Sequence, residues 1–164
     1  MRFFAVLGLL ALSPTLARAQ GLPPTWLVDT PKDAPATLVY GPPTAPQLGF
    51  ACPRGSGQVT VRFLVPRKLA DHRVGEVWVD SAGVAAPWPV SVAFASGAAA
   101  SNLRGQAEPA PSDGAAVNSE ISTAAPVIKA FAKSGVISLT AVSETVSPAP
   151  AKPGMVRKFL GACK

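Results

Sequence analysis

This sequence predicts a mainly β domain, built as an antiparallel sandwich or partly open barrel, with one inserted helix, one carboxy-terminal helix and one disulfide. Three observations carry that expectation. Apolar residues alternate with period two along much of residues 48–94. The period shifts to the helical three-to-four only over residues 125–134 and 154–163. The only two cysteines are Cys52, near the start of the alternating region, and Cys163, at the end of the last helical segment.

The start of the chain reads as an export signal. Arg2 precedes the apolar run from Phe3 to Leu12, and Ala17-Arg18-Ala19 supplies small residues at a cleavage position. A signal over residues 1–19, cut near Ala19/Gln20, leaves a mature chain of 145 residues, enough for one core. The residue directly after the cut is Gln20 and not a cysteine, so a soluble periplasmic or secreted product is expected rather than an acyl-anchored one. The strongly apolar run is too short to cross a bilayer, so no transmembrane segment is expected in the mature chain.

Residues 20–46 read as a Pro-rich amino-terminal arm. Pro23, Pro24, Pro31, Pro35, Pro42, Pro43 and Pro46 forbid a helix, leaving short extended pieces that contain Trp26 and Tyr40 as anchors against the domain. The β domain is then expected over residues 47–164. Residues 48–52 form a strand, the Pro53-Arg54-Gly55-Ser56-Gly57 run supplies turn chemistry, and Val59, Val61, Phe63 and Val65 share one face of the next strand. A further strand is expected over residues 75–80, with Val77 and Val79 inward and Trp78 on the opposite face. Residues 84–94 make an edge or bulged strand, because Pro87 and Pro89 flank Trp88.

Residues 96–119 are small and polar; they offer one extended piece near residues 102–107 and a loop over 108–114. Pro126 then suits the first turn of a helix, Val127, Ile128 and Phe131 fall on one face, and Gly135 stops it. Residues 136–146 return to strand. In the last helix Val156, Phe159, Leu160 and Cys163 stand at i, i+3, i+4 and i+7. That spacing turns Cys163 inward, and an exported chain favours oxidation, so Cys52–Cys163 is expected as a disulfide. A metal-binding pair would need neighbouring ligands, and neither cysteine has a Cys or His close by in sequence.

Composition narrows the chemistry. His72 is the only histidine, beside Asp71 in a polar loop, and no Gly-x-Ser-x-Gly elbow exists; a hydrolase would have to rest on His72. No metal-ligand cluster or phosphate-cradling glycine pattern is visible, so neither a cofactor nor a metal is expected. Without its signal the chain carries 13 Lys/Arg against nine Asp/Glu. The bases concentrate in Arg62, Arg67, Lys68 and Arg73, and again after Glu144 in Lys152, Arg157, Lys158 and Lys164. With Trp78 and Trp88 as rigid aromatic anchors, the expected role is non-enzymatic: binding a protein or an anionic envelope component. Nucleic acid is not an expected partner, since no aromatic-interleaved basic motif occurs.

Two resemblances follow from local runs. Trp26, Leu38-Val39-Tyr40-Gly41-Pro42-Pro43, Leu48-Gly49-Phe50-Ala51-Cys52, Ser134-Gly135 and Lys158-Phe159-Leu160-Gly161-Ala162-Cys163 resemble a group of small uncharacterised exported alphaproteobacterial proteins, which implies no activity. Phe50-Ala51-Cys52-Pro53-Arg54-Gly55 is similar to the early Tyr-x-Cys-x-x-Gly element of C-type lysozyme inhibitors, which also share a carboxy-terminal cysteine. That likeness implies a small disulfide-tied β-barrel and, as an alternative function, inhibition of a lysozyme-type hydrolase. The inhibitory Ser-Gly-x-Gly loop has no match in this chain, and the inserted helix departs from the pattern.

Overall fold

A computed structural model describes residues 23–164 apart from Pro43 and Ser112. The expected signal over residues 1–19 lies outside the described residues. Eleven strands and two helices follow in order: β1 Thr25–Asp29, β2 Ala36–Gly41, β3 Leu48–Cys52, β4 Gln58–Val65, β5 His72–Val74, β6 Val77–Val79, β7 Trp88–Ser96, β8 Ala99–Pro109, β9 Ala115–Ser122, α1 Pro126–Ser134, β10 Ser138–Ala141, β11 Glu144–Val146 and α2 Pro153–Ala162. Nine strands form one antiparallel sheet in the order β1-β2-β3-β4-β9-β8-β7-β10-β11, while β5 and β6 form a separate hairpin. The sheet curls until β11 comes against β4, and both helices pack on its inner face.

The inner face follows from side-chain parity. Val59, Val61, Phe63 and Val65 of β4 are all buried, as are Leu48, Phe50 and Cys52 of β3, and the two strands pair Leu48 with Phe63 and Phe50 with Val61. Helix α1 adds Val127, Ile128 and Phe131; α2 adds Val156, Phe159 and Leu160. Each of these side chains contributes about 1.5–3 kcal/mol by leaving water. Aromatic rings concentrate at the centre, where Trp26 lies 5.2 Å from Tyr40 and 5.9 Å from Phe131, ring to ring, and Phe50 lies 5.5 Å from Phe131.

Both helix boundaries agree with the expected ones to within a residue. Pro126 and Pro153 occupy the first helical turns, and Gly135 caps α1 at φ +72°. A Cβ at Gly135 would collide with the carbonyl oxygen of Ala151, so this position excludes a side chain both by backbone conformation and by space. The end of α2 is fixed by Gly57, whose N–H donates to the Cys163 carbonyl at 2.8 Å, and by the Cys52–Cys163 disulfide, with Cα atoms 5.6 Å apart.

Four expectations need correction. Residues 25–41 are no arm: β1 and β2 are strands of the main sheet, with prolines confined to their flanks, and Trp26 is an anchor in the sense expected, buried and donating its indole N–H to the Ala149 carbonyl at 2.6 Å. The strand expected over 75–80 is shorter, β6 at Val77–Val79, because Gly75, at φ +62°, belongs to the turn of the β5–β6 hairpin; of its two valines Val77 is exposed and only Val79 is buried. Strand β7 lies inside the sheet, between β8 and β10. Because β10 pairs only with Val92 to Ala95, Pro89 sits where β7 has β8 as its single neighbour, the edge-like setting in which a strand tolerates proline. Finally, residues 96–119 do hold the expected extended piece, as part of the longer β8, but they also lead into β9, a central strand between β4 and β8 that was not expected.

Candidate functional site

The β5–β6 hairpin stands outside the curled sheet and carries most of the residues expected to meet a partner. Its base is anchored by Ala70 and Val79, both buried, and by backbone bonds from Asp71 N to Val79 O and from Ala86 N to Trp78 O. After β6 the Asp80 carboxylate accepts from Ala82 N at 2.9 Å and Val84 N at 2.8 Å, which sets the following turn. Beyond that base the hairpin is open to solvent. Val74, Val77, Trp78 and Val84 are four of the six exposed large apolar side chains among the described residues.

Arg73 and Trp78 are cross-strand partners, and the guanidinium lies 5.5 Å from the indole centroid, a cation–π contact worth about 0.5–1 kcal/mol at an exposed site. Arg73 also donates to the Glu76 carbonyl at 3.1 Å, so its head group is held over the ring rather than waving in solvent. Arg67 and Lys68 are exposed in the segment leading into the hairpin. Between residues 67 and 84, Arg67, Lys68 and Arg73 face Asp71, Glu76 and Asp80, so the rim of this patch is electrically balanced.

The structure separates the other expected partner residues from this group. Trp88 is buried, 6% exposed, and its indole N–H donates to the Val84 carbonyl at 2.9 Å. It is a core residue beneath the exposed turn, not a surface anchor. Period-two parity contained the signal, since Trp88 shares its register with Val92 and Phe94. Arg62 lies on the outer face of β4, donating to Asn118 Oδ1 at 3.2 Å with Glu108 Oε2 at 3.8 Å, so its charge is offset within the sheet. The Cys52–Cys163 pair is a closed disulfide in the core.

His72 opens β5 and is exposed. Its Nδ1 lies 3.0 Å from Asp71 Oδ2, so the neighbouring carboxylate does orient the ring. Among the described residues no hydroxyl or thiol lies in hydrogen-bond contact for the ring to activate. No three His, Cys, Asp or Glu side chains gather into a metal-sized group among the described residues, and no described helix is long and apolar enough to cross a membrane.

A second concentration of charge was read from the sequence only in its carboxy-terminal part. Residues 121–164 hold six Lys/Arg and one acid, Glu144, whereas residues 23–120 hold seven bases and eight acids. The positive excess of the domain therefore lies in its helical part, and Lys129 and Lys133 of α1 belong to it along with the carboxy-terminal bases already noted. The absence of acids in both helical segments was the available signal. No protein-family model, curated protein or solved structure matches the chain.

Proposed function

We propose that this protein is an exported, non-enzymatic binding domain of the envelope, and that it grips a partner protein through the β5–β6 hairpin. The observation that carries this reading is the exposure of Val74, Val77 and Trp78 on the β5–β6 hairpin, and of Val84 in the turn that follows it, outside the main sheet. The cross-strand pairs put Arg73 and Trp78 on one face of the hairpin and Val74 and Val77 on the other, and an exposed Trp–Arg pair backed by apolar side chains is the kind of anchor that protein interfaces use. An anionic surface is the poorer fit for this patch, because its three cations are matched by three carboxylates. Export rests on the apolar amino-terminal run and fits the disulfide.

Site-specific photo-crosslinking in the cell tests the reading. A crosslinker at Val74 or Val77 is expected to trap one discrete protein, and the same group at Asn102, exposed on the outer face of β8, is not. Arg73→Glu and Trp78→Ala are expected to abolish the band. Equal yields from all three positions would overturn the proposal, as would a blue shift of Trp78 fluorescence on lipid vesicles with no protein crosslink, which would put the hairpin on a membrane instead.

A further inference from the structure

Helices α1 and α2 pack side by side, and a groove of about 560 Å³ runs between them on the outer side. Its floor includes Leu160 and Gly161; its rim carries Lys129, Lys133, Arg157 and Lys164 and no acidic side chain. Arg157 leans across the groove, with Nη1 3.5 Å from the Ala132 carbonyl near the end of α1, which holds the guanidinium at the edge.

Two features of this groove run against the stability of the helices themselves. Lys129 and Lys133 stand at i and i+4 with no acid in α1, a like-charge pair that disfavours a helix by a few tenths of a kcal/mol. Gly161 lies within α2 although a Cβ there would meet nothing within 4 Å and its φ is not left-handed. A helical glycine without a steric reason is disfavoured relative to alanine by about 0.5–1 kcal/mol. What the lysine pair supplies is positive potential, and what the glycine supplies is an open floor.

We propose that the α1–α2 groove binds a single-chain anionic amphiphile, its head group held by Lys129, Lys133, Arg157 and Lys164 and its apolar chain laid over Leu160 and Gly161. Charge complementarity identifies the head group: the helical part of the domain carries the whole positive excess. Flexible cationic side chains at the rim can donate several charge-assisted hydrogen bonds to one phosphate or carboxylate. The apolar floor identifies the body.

Titration of the purified protein with dodecyl phosphate below its micelle concentration, followed by NMR shifts and calorimetry, tests this. Saturable binding with shifts centred on Lys133, Arg157 and Gly161 is expected. Inorganic phosphate and dodecyl maltoside, which each lack half of the recognised chemistry, are expected to bind at least about tenfold more weakly. The Lys133→Gln/Arg157→Gln variant should lose about tenfold in affinity. Gly161→Glu, which fills the floor with an acidic side chain while favouring the helix, should abolish binding and keep the thermal midpoint at or above that of the native chain. Equal affinity for the maltoside, or undiminished binding by both variants, would overturn the proposal. Trp78→Ala is expected to bind dodecyl phosphate like the native chain, so the outcome stands apart from that of the hairpin.

Discussion

The buried indole of Trp88 donates its N–H to the carbonyl of Val84, 2.9 Å away and four residues earlier, so a core side chain holds the exposed turn that follows β6. Because the acceptor belongs to the same surface segment as Trp78, the shape of the hairpin is coupled to the packing beneath it.

Trp88→Phe keeps most of the apolar volume and removes the donor. Its expected cost is about 1 kcal/mol, the net worth of one such bond, with faster hydrogen exchange at the amides of Asp80, Val84 and Ala86, which bond within this turn. Trp88→Ala should cost about 3–5 kcal/mol in chemical denaturation.

Trp78→Ala is expected to behave oppositely. The ring is 37% exposed and its defined contact is the Arg73 stack, so stability should fall by no more than about 1 kcal/mol while partner crosslinking is lost. Denaturant midpoints measured beside crosslink yields separate the two tryptophans: one carries structure, the other contact.

The disulfide joins residues 111 positions apart. On the chain-entropy treatment, removing a link that closes a loop of this size destabilises by about 4–5 kcal/mol, with native strain lowering the figure. Urea unfolding of a Cys52→Ala/Cys163→Ala protein should show that loss with both helices still present by circular dichroism.

The β10–β11 turn contains Val142 and Ser143 at φ +48° and +67°, a left-handed pair without a glycine. Ser143 is exposed, so Ser143→Gly should relieve the backbone and raise stability by about 1 kcal/mol in thermal or urea unfolding.

Sequence legibility followed side-chain size. The β3–β4 hairpin and both helices carry Phe, Val, Ile and Leu at the right periods, so their inner faces were plain, and Cys163 lay in register with Phe159 and Val156. Strand β9 was not plain. Ala115, Ala116, Val117 and Ser119 are all buried, and such small residues give no contrast between inside and outside even at a central position. The prolines beside Trp88 suggested an edge, and locally they mark one, since that end of β7 has only β8 beside it. The hairpin was half legible: the strand that carries Trp78 on an outward face was expected, but its pairing with β5 outside the main sheet, with Val77 exposed, was not. The α1–α2 groove needed tertiary structure, because Lys133 and Arg157 are distant in sequence and meet only through helix packing.

The tie between Cys52 and Cys163 also sets an order of events during biosynthesis. Strand β3 leaves the ribosome 111 residues before its covalent partner, so the thiol of Cys52 waits through the synthesis of every later strand of the sheet and both helices. A chain interrupted anywhere before α2 is complete therefore keeps an unpaired thiol on β3, a chemical mark that distinguishes unfinished copies from finished ones.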